Sequence, residues 1–426
     1  MDLIADLKAR GLIAQMTGDE ELEKHLIGGN RTVYCGFDPT ADSLHLGHLV
    51  PLLVLRRFQD VGHTPIALVG GATGLIGDPS FKSAERQLNT PGDVGEWSDR
   101  IRHQVSQFLK FDGVPNAAKV VNNLDWTADL KALDFLRDVG KHFSVNNMIN
   151  KESVQQRLQR DGEGISFTEF AYALLQGMDF AELNRRHNCT VQVGGSDQWG
   201  NIVGGIDLTR RQNQAQTFGL TVPLITKADG TKFGKTESGS VWLDAAKTSP
   251  YAFYQFWINT EDADVYKFLR FFTFLPVSEI EKIEVTDGER QGRPEAQSIL
   301  AREVTQLVHG EKGLEAAQRI SEALFSGQTD SLSENDYRQL QLDGMPASEL
   351  PEDSKPLTSL FVDCELAKNG KQVKDALQRN AVTVNGATIG WDENMKMGEV
   401  FKPGTGRFGR YYLVKLGKKS HHLFWH

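Results

Sequence analysis

Short apolar runs alternate with amphipathic stretches through the first two hundred residues of the chain. Four of the runs have the length of buried strands. They lie at residues 32–36, 65–70, 119–122 and 190–194. Helical patterns fill the intervals, and this rhythm predicts an α/β fold in which helices wrap a parallel sheet. Such sheets bind ligands at the carboxyl ends of their strands, so the loops after Gly36, Gly70 and Gly194 are candidate sites.

The strongest helical pattern covers residues 168–186, and Ser166 with Glu169 supplies a capping-box start for it. Its apolar stripe consists of Phe170, Leu174, Leu175, Met178 and Leu183. Tyr172, Gln176 and Asp179 follow one another at i, i+4 and i+7 on a second, polar stripe. By periodicity alone, this stripe either faces solvent or converges on one small ligand.

The pattern becomes mostly helical after residue 250. Helix-like spacing recurs at residues 251–257, 265–274, 295–309 and 313–325. Residues 327–356 are rich in Ser, Asp, Glu, Pro and Gly, which indicates a linker with at most short helices. Residues 382–386 then predict a strand that ends in an Asn-Gly turn.

The length and composition indicate a protein of more than one domain. The chain has 426 residues, of which 39% are hydrophobic and 24% charged, and single cores stop growing near roughly 250–300 residues. The charged first ten residues and the lack of an apolar run of roughly 18–20 residues predict neither a signal peptide nor a membrane span. Cys35, Cys189 and Cys364 are too far apart for a disulfide framework or a cysteine-based zinc site, so a reducing cytoplasm is expected.

Charge is distributed unevenly along the chain. The formal net charge is −9, but residues 355–426 carry 12 Lys and Arg against 6 Asp and Glu, a net of +6 that leaves −15 on residues 1–354. A basic surface of this kind attracts phosphate backbones, and the alternative is an ordinary solvated face.

Two histidines mark the turn from the first predicted strand into a helical pattern over residues 46–59. His45 and His48 are three residues apart at the helix start, and Gly47 between them lets a ligand approach the backbone. Free amide groups at a helix start favour an anion, so the pair is interpreted as hydrogen bonding to a triphosphate, with Thr40 as a further donor. The alternatives are a metal site, which lacks a third ligand nearby in sequence, and surface histidines without a role.

A second cluster, Lys-Phe-Gly-Lys-Thr at residues 232–236, follows a turn signal and belongs to an exposed loop. Alone it could be an ordinary solvated lysine loop. Together with the histidine pair it predicts that Lys232 and Lys235 clamp a pyrophosphate leaving group.

Two small-residue segments complete the chemistry. Residues 70–79 are glycine-rich but match neither the dinucleotide fingerprint nor a Walker sequence, and Asp78 at their end either meets a substrate ammonium or caps a helix. Residues 194–200, Gly-Gly-Ser-Asp-Gln-Trp-Gly, lead from a strand into a helix and allow close approach of a ligand.

These four segments, with residues 34–40, resemble the class I aminoacyl-tRNA synthetases, and among them the bacterial tyrosyl-tRNA synthetases. The resemblance covers essentially the whole chain and is strongest over residues 32–259. It implies activation of L-tyrosine with ATP to tyrosyl-adenylate and pyrophosphate, transfer of the tyrosyl group to tRNA(Tyr), and a homodimer. Mg²⁺ is expected only as the counterion of ATP, without a structural metal.

The resemblance also implies a division into domains. A Rossmann-like, parallel-sheet catalytic domain would cover residues 1–225 and carry the tyrosine and ATP sites. The signature loop and an α-helical domain of the anticodon region would cover 226–326, followed by a linker at 327–356. A small α+β RNA-binding module, similar to a small-subunit ribosomal protein, would cover 357–426.

Carried over position by position, the resemblance assigns the site residues. Tyr34 and Asp179 would hold the phenol hydroxyl of tyrosine, and Asp78, Tyr172, Gln176 and Gln198 would hold its other end. The expected ATP and catalytic residues are Gly36, Asp38, Thr40, His45, His48, Asp197, Lys232, Lys235 and Thr236. The expected tRNA contacts are Lys82, Arg86, Lys371 and Lys374.

Some positions depart from the family pattern. Met178 replaces a frequent tyrosine, Phe233-Gly234 replaces a Met-Ser pair, and Lys371 and Lys374 stand where arginines are frequent. Two rival functions stay open: a small-molecule nucleotidyltransferase with a similar histidine pair, and a non-catalytic RNA-binding protein on a synthetase fold.

Overall fold

The structure is a computed structural model. It describes residues 2–78, 89–150, 154–155, 158–159, 165–231, 233–236, 239–292, 294–352, 355–392, 395–417 and 420–426, without the side chains of 235 and 236. Within these ranges no helix is long and apolar enough to cross a membrane.

The helices are α1 (Leu3–Arg10), α2 (Asp19–Ile27), α3 (Leu46–Asp60), α4 (Thr73–Ile76), α5 (Pro91–Val105), α6 (Leu124–Thr127), α7 (Ala132–Asp134), α8 (Val145–Ile149), α9 (Phe167–His187), α10 (Trp199–Asn213), α11 (Pro250–Ile258), α12 (Asp262–Phe272), α13 (Val277–Glu289), α14 (Ala296–Ser326), α15 (Glu334–Gln339), α16 (Leu357–Asp363), α17 (Gly370–Gln378) and α18 (Met397–Val400). Short 3₁₀ or π turns lie at Phe135–Val139, Gly140–His142, Ser196–Gln198, Thr329–Ser331 and Leu340–Gly344. α14 is broken at Gly310, where the sequence pattern also separates two helices.

The strands are β1 (Gln15–Met16), β2 (Thr32–Phe37), β3 (Thr64–Val69), β4 (Lys119–Asn122), β5 (Cys189–Gly195), β6 (Phe218–Val222), β7 (Lys235–Thr236), β8 (Gly239–Ser240), β9 (Ala347–Glu349), β10 (Val382–Val384), β11 (Ala387–Thr388), β12 (Tyr411–Leu416) and β13 (Ser420–Trp425).

One compact unit comprises Met1–Leu243 and Glu261–Ala296. Its sheet has the order β1-β6-β5-β2-β3-β4, and all pairs are parallel except β1 with β6. The predicted α/β fold is therefore confirmed, with its four predicted strands at β2 to β5. The chain leaves β2 toward β3 on one side and returns as β5 on the other, and the crevice at such a switch point is where open α/β sheets bind ligands.

The second compact unit comprises Asp244–Thr260 and Gln297–His426. Its sheet has the order β11-β10-β12-β13-β9 and is antiparallel except for β9 beside β13. One face of the sheet packs on a cluster that includes Phe361 and Val373 from α16 and α17, and the other packs on Ile320 and Ala323 of α14.

Residues 327–356 differ from the predicted linker. They contain α15 and β9, and Tyr337 and Leu340 are fully buried against Tyr411 and Leu413. The polar composition concealed a few apolar side chains that the sheet of this unit covers. The two compact units also divide the chain at other points than the four expected domains, whose boundaries stay a prediction.

Candidate active site

The carboxyl end of β2 is joined to α4 and α9 through one carboxylate. Asp38 accepts a hydrogen bond of 2.6 Å from the Thr73 hydroxyl and another of 2.6 Å from the Tyr172 hydroxyl. A Cβ at position 70 would overlap this carboxylate, so the loop after β3 requires Gly70. Asp38 was predicted at the ATP site, and its contacts here position Tyr172.

A second carboxylate, that of Asp179, is buried and lies on α9, two turns after Tyr172. Its Oδ2 accepts from Asn123 Nδ2 at 3.0 Å, and its Oδ1 accepts from Trp126 Nε1 at 2.8 Å. Burial raises the pKa of Asp179 to about 7, although both hydrogen bonds oppose that shift. Tyr172 and Asp179 are 5% and 2% exposed, so the polar stripe of α9 faces the interior and not solvent.

Some buried polar atoms on β2, β5 and α9 have no hydrogen-bond partner among the described residues. The Tyr34 hydroxyl is buried and has no hydrogen-bond partner among the described residues, and the same holds for Oε1 of Gln176 and of Gln192. Tyr34 and Gln192 are paired neighbours on β2 and β5. Burial and the nearby Asp179 raise the pKa of Tyr34, so its hydroxyl remains protonated. Because unpaired buried polar groups are costly, these atoms indicate a place where a polar ligand supplies the partners.

Gln198 connects the glycine-rich loop after β3 with the turn after β5. Its Nε2 donates to Asp78 at 2.7 Å and to Asp197 at 3.2 Å, and its Oε1 accepts from Asn201 at 3.3 Å. Three predicted site residues, one from the glycine-rich loop and two from the turn after β5, are therefore in direct contact.

The histidine pair forms a reciprocal cap at the start of α3. His45 Nδ1 accepts from the Gly47 amide at 3.0 Å, and His48 Nδ1 accepts from the His45 amide at 3.3 Å. The two rings stack with centroids 4.0 Å apart. Since each Nδ1 is an acceptor, each neutral ring carries its proton on Nε2. Burial, with a contribution from His45, lowers the pKa of His48, which keeps it neutral.

The loop that carries the second cluster, named here the second signature loop and described over residues 233–236, lies against the same helix start. The Val241 amide donates to the Gly234 carbonyl at 3.0 Å, and the Leu46 amide donates to the Val241 carbonyl at 3.1 Å. Gly234 has a φ of +80°, and a Cβ there would lie 3.3 Å from the Leu46 Cβ. The Phe233 ring packs on Phe268 of α12, with ring centroids 4.4 Å apart. The backbone thus brings together two segments almost two hundred residues apart, as the sequence predicts.

The remaining predicted site residues are exposed, lie in the second compact unit, or fall outside the described residues. Gly36 and Thr40 are exposed at the end of β2, and the Thr40 amide donates to the Asp38 carbonyl at 2.9 Å. Lys82, Arg86 and Lys232, and the side chains of Lys235 and Thr236, lie outside the described residues. In the other unit, Lys371 and Lys374 lie on α17, and the Lys374 ammonium is 5.1 Å from the centroid of the Trp391 ring.

Sequence reasoning missed Thr73, Asn123, Trp126 and Gln192. Asn123 and Trp126 directly follow β4, so the rule that directed attention to the other strand ends could have found them. Met178, in contrast, only fills the apolar cluster around Leu174 and Leu208. Among the described residues no three His, Cys, Asp or Glu side chains form a group that could hold a metal ion.

The parallel sheet and its switch-point crevice define an open α/β protein with a candidate ligand site at the carboxyl ends of its strands. The family model described as "tRNA synthetases class I (W and Y)" matches residues 28–326, and the model "Tyrosine--tRNA ligase SYY-like C-terminal domain" matches residues 336–424. The chain therefore belongs to the class I tRNA synthetases of the tryptophan and tyrosine group.

Full-length relatives narrow the assignment. The chain is 61% identical over 423 residues to a tyrosine–tRNA ligase of Aliivibrio fischeri (strain MJ11), covering 99% of this chain and 98% of the relative. It is 58% identical over 428 residues to one of Dechloromonas aromatica, with the same shares covered. A truncated mitochondrial tyrosyl-tRNA synthetase of Aspergillus nidulans matches in structure with a TM-score of 0.69 and 30% identity, over 76% of this chain and 94% of that one. Within its class, the chain is a member of the tyrosine–tRNA ligases.

Proposed function

We propose that the chain joins L-tyrosine to ATP, giving tyrosyl-adenylate and pyrophosphate, and then transfers the tyrosyl group to the 3′ end of tRNA(Tyr). The observation that carries this proposal is the buried Tyr34 hydroxyl, which has no hydrogen-bond partner among the described residues and lies near the carboxylate of Asp179. A phenol can donate to Asp179 and accept from Tyr34, whereas a ligand without a hydroxyl leaves the Tyr34 hydroxyl unpaired at a cost of roughly 1–3 kcal/mol.

The opposite end of the tyrosine site would bind the amino acid backbone. Asp78, Tyr172 and Gln176 supply oxygen atoms for an ammonium group, and Gln198 lies between Asp78 and Asp197. Tyr172 is fixed by its hydrogen bond to Asp38, so its orientation is set before the ligand arrives.

The ATP site would use the start of α3 and the second signature loop. The Nε2–H groups of His45 and His48 can donate to phosphate oxygens, because their Nδ1 atoms are used in the cap. Thr40, Lys232, Lys235 and Thr236 would assist at the triphosphate, Gly36 and Asp38 would lie beside it, and Asp197 would bind the adenylate. Mg²⁺ would arrive with ATP, and no step requires a metal held by the protein alone.

The tRNA would contact residues of both compact units. Lys82 and Arg86 would guide its 3′ end, while Lys371, Lys374 and the basic module at 357–426 would bind its backbone. We therefore keep the proposed division into a catalytic domain, a helical domain of the anticodon region, a linker and an RNA-binding module.

A homodimer accounts for apolar side chains on the first unit. Leu133, Leu136, Val145 and Phe167 are 79%, 51%, 57% and 75% exposed. They are close in sequence to Phe135, Phe143 and Phe170, which pack against the buried cluster around Met148, and a second copy would cover them. We place the dimer in the cytoplasm, in keeping with free cysteines at 35, 189 and 364.

Amino-acid-dependent exchange of pyrophosphate into ATP, measured with each of the twenty amino acids, tests the function. Exchange should depend on tyrosine and give charged tRNA(Tyr) when the tRNA is added. Exchange that ignores tyrosine would favour a small-molecule nucleotidyltransferase, and its complete absence would favour a non-catalytic RNA-binding role.

A further inference from the structure

Helix α12 holds the segment that leads into the second signature loop. We name this segment, residues 225–231, the loop arm. The Ala228 amide of the arm donates to the Asp264 carboxylate at 2.9 Å, and the Lys267 ammonium donates to the Thr226 carbonyl at 3.0 Å. Two hydrogen bonds of opposite direction therefore attach the arm to α12.

The arm is closed on itself as a short hairpin. The Lys227 amide donates to the Thr231 carbonyl at 2.9 Å, and the Phe233 amide donates to the Ile225 carbonyl at 3.3 Å. Because these bonds join the two sides of the arm, a displacement of one side also moves the other.

Aromatic packing holds the chain where the arm enters the loop. The centroid of the Phe233 ring is 4.4 Å from that of Phe268 and 5.4 Å from that of Phe272. Helix α12 therefore holds the chain at Ala228 and again at Phe233. Lys232, the first of the two lysines that we propose for pyrophosphate, stands between these positions in the sequence.

The other end of α12 is joined to the helix that begins with the histidine pair. Arg57 of α3 donates to the Thr273 carbonyl, directly after α12, at 2.6 Å. Arg10 of α1 donates to the Leu275 carbonyl at 2.8 Å. Both arginines are buried, and hydrogen bonds from a charged donor are strong. Helix α12 thus connects α3 with the loop arm.

Asp264 makes the buried contact of this connection. It lies in the first turn of α12 and is 3% exposed. A buried carboxylate is costly unless hydrogen bonds satisfy it, and the Ala228 amide supplies one of them. Detachment of the arm would leave this carboxylate without that donor, so the contact favours one position of the arm.

We propose that Asp264 is a positioning residue for the attack of tyrosine on ATP. Through the loop arm, it holds the lysines of the second signature loop at a fixed place relative to the histidine pair. Charges stabilise a leaving pyrophosphate only when they are oriented in advance. The inference rests on the proposed function, because it assigns Asp264 to the ATP half of that reaction.

Pyrophosphate exchange by the full-length chain, at varied tyrosine and varied ATP, tests the proposal. The measured kcat is expressed per tyrosine-binding site, counted by equilibrium dialysis, so that unfolded chains do not lower it. Asp264→Ala should lower this kcat about tenfold and leave the KM for tyrosine within about twofold. Asp264→Asn keeps an oxygen that can accept from the Ala228 amide and should restore most of the loss.

Ala228→Pro examines the same hydrogen bond from the side of the arm. Ala228 is exposed and follows Lys227 in a turn closed by the Gly230 amide, a position that accepts proline. The variant removes the donor to Asp264 without changing α12, so it tests the contact even if Asp264→Ala does not fold. It should also lower kcat about tenfold.

Asp262→Ala is the matched control, because Asp262 is an exposed acid in the same first turn of α12. It removes the same charge from the helix start and should leave kcat within about twofold. Equal loss of kcat in Asp262→Ala and Asp264→Ala would overturn the proposal. A kcat for Asp264→Asn no higher than that for Asp264→Ala, or an unchanged kcat in Ala228→Pro, would also overturn it.

The unmodified chain separates this inference from the proposed function. If it shows no tyrosine-dependent exchange, the proposed function fails. If it shows that exchange and Asp264→Ala retains kcat, only the positioning role of Asp264 fails. Loss of tyrosine binding together with kcat in folded Asp264→Ala would likewise overturn that role, because it would show a general effect on the unit.

Discussion

The indole of Trp126 donates a hydrogen bond of 2.8 Å to the carboxylate of Asp179, and this contact sets the orientation of the buried acid that we propose for the tyrosine site. The Arg186 guanidinium lies over the same indole, 5.3 Å from its ring centre. Trp126, which lies outside the segments that carry the family resemblance, thus orients the residue proposed to bind the phenol hydroxyl of tyrosine.

Trp126→Phe should raise the KM for tyrosine at least tenfold, with little change in the KM for ATP. The phenylalanine keeps an aromatic ring beside Arg186 but removes the donor to Asp179, and a hydrogen bond to a charged group contributes about 1.5–3 kcal/mol. Pyrophosphate exchange at varied tyrosine and varied ATP measures both constants. Trp391→Phe, in the other unit, is the control, and equal KM values for tyrosine in both variants would contradict the role of Trp126.

The buried Asp179 carboxyl should make the stability of the chain depend on pH between about 4 and 7. Its pKa is raised to about 7 in the folded state, chiefly by burial, from an ordinary value of 3.8. The folded state therefore holds a proton that the unfolded state has lost within this window. This group stabilises the fold fully below pH 4, and that contribution is lost as the pH rises through 7, by about 4 kcal/mol.

Asp179→Asn isolates this contribution. Denaturant titrations at pH 4, 5, 6, 7 and 8 give the unfolding free energies of the unmodified chain and of the variant. Relative to the variant, the unfolding free energy of the unmodified chain should fall as the pH rises to about 7 and then stay constant. A difference that is constant across the range would show that the carboxyl titrates normally.

Local patterns predicted the elements but not the contacts that decide the site. The strands with long apolar runs were found, whereas β1, with two residues, and β6 were not. Gln192 lies within a strand, so its unpaired oxygen is invisible to periodicity. The burial of Tyr337 depends on Tyr411, which is far along the chain, so the local composition could not predict that contact. The family resemblance supplied the ligand roles that spacing left open.

Gly234→Ala should slow tyrosine activation about tenfold by displacing the second signature loop from the start of α3. An alanine must adopt the unfavourable φ of +80° and place its Cβ 3.3 Å from that of Leu46. Gly230→Ala is a matched control, since its φ is +81° and a Cβ there meets nothing within 4 Å. Both variants should lose similar stability, but only Gly234→Ala should lower kcat for exchange. Equal kcat values in Gly234→Ala and Gly230→Ala would show that the contact with Leu46 does not affect activation.

Phe167→Asp should convert the proposed dimer to monomers. Phe167 is 75% exposed, and a carboxylate there would be buried without a partner if a second copy covers this face. Sedimentation velocity over a range of concentrations measures the mass. Ile27→Asp changes an equally exposed apolar residue, 80% accessible, on α2 and should leave the mass unchanged. A monomeric unmodified chain, or a dimer in Phe167→Asp, would contradict the proposed interface.

Deletion of the chain from Leu357 onward should abolish tRNA charging while tyrosine activation stays within about twofold. The residues proposed for the tyrosine site all belong to the unit formed by Met1–Leu243 and Glu261–Ala296. The deletion also removes Tyr411, Leu413 and Leu423 from the cluster that buries Tyr337 and Leu340. We therefore expect the truncated chain to unfold in two steps, with the remainder of the second unit melting first.

The double variant Lys371→Gln, Lys374→Gln removes two positive charges from the same module without removing its folded core. It therefore tests whether charge alone supports tRNA charging. It leaves both apolar clusters intact, so it should lower tRNA charging several-fold without changing the melting of either unit. Charging, exchange and thermal unfolding are measured on the same preparations.

If a folded truncation loses exchange and charging to the same extent, the basic module is not confined to tRNA binding, and the separation of the two activities between the units is wrong.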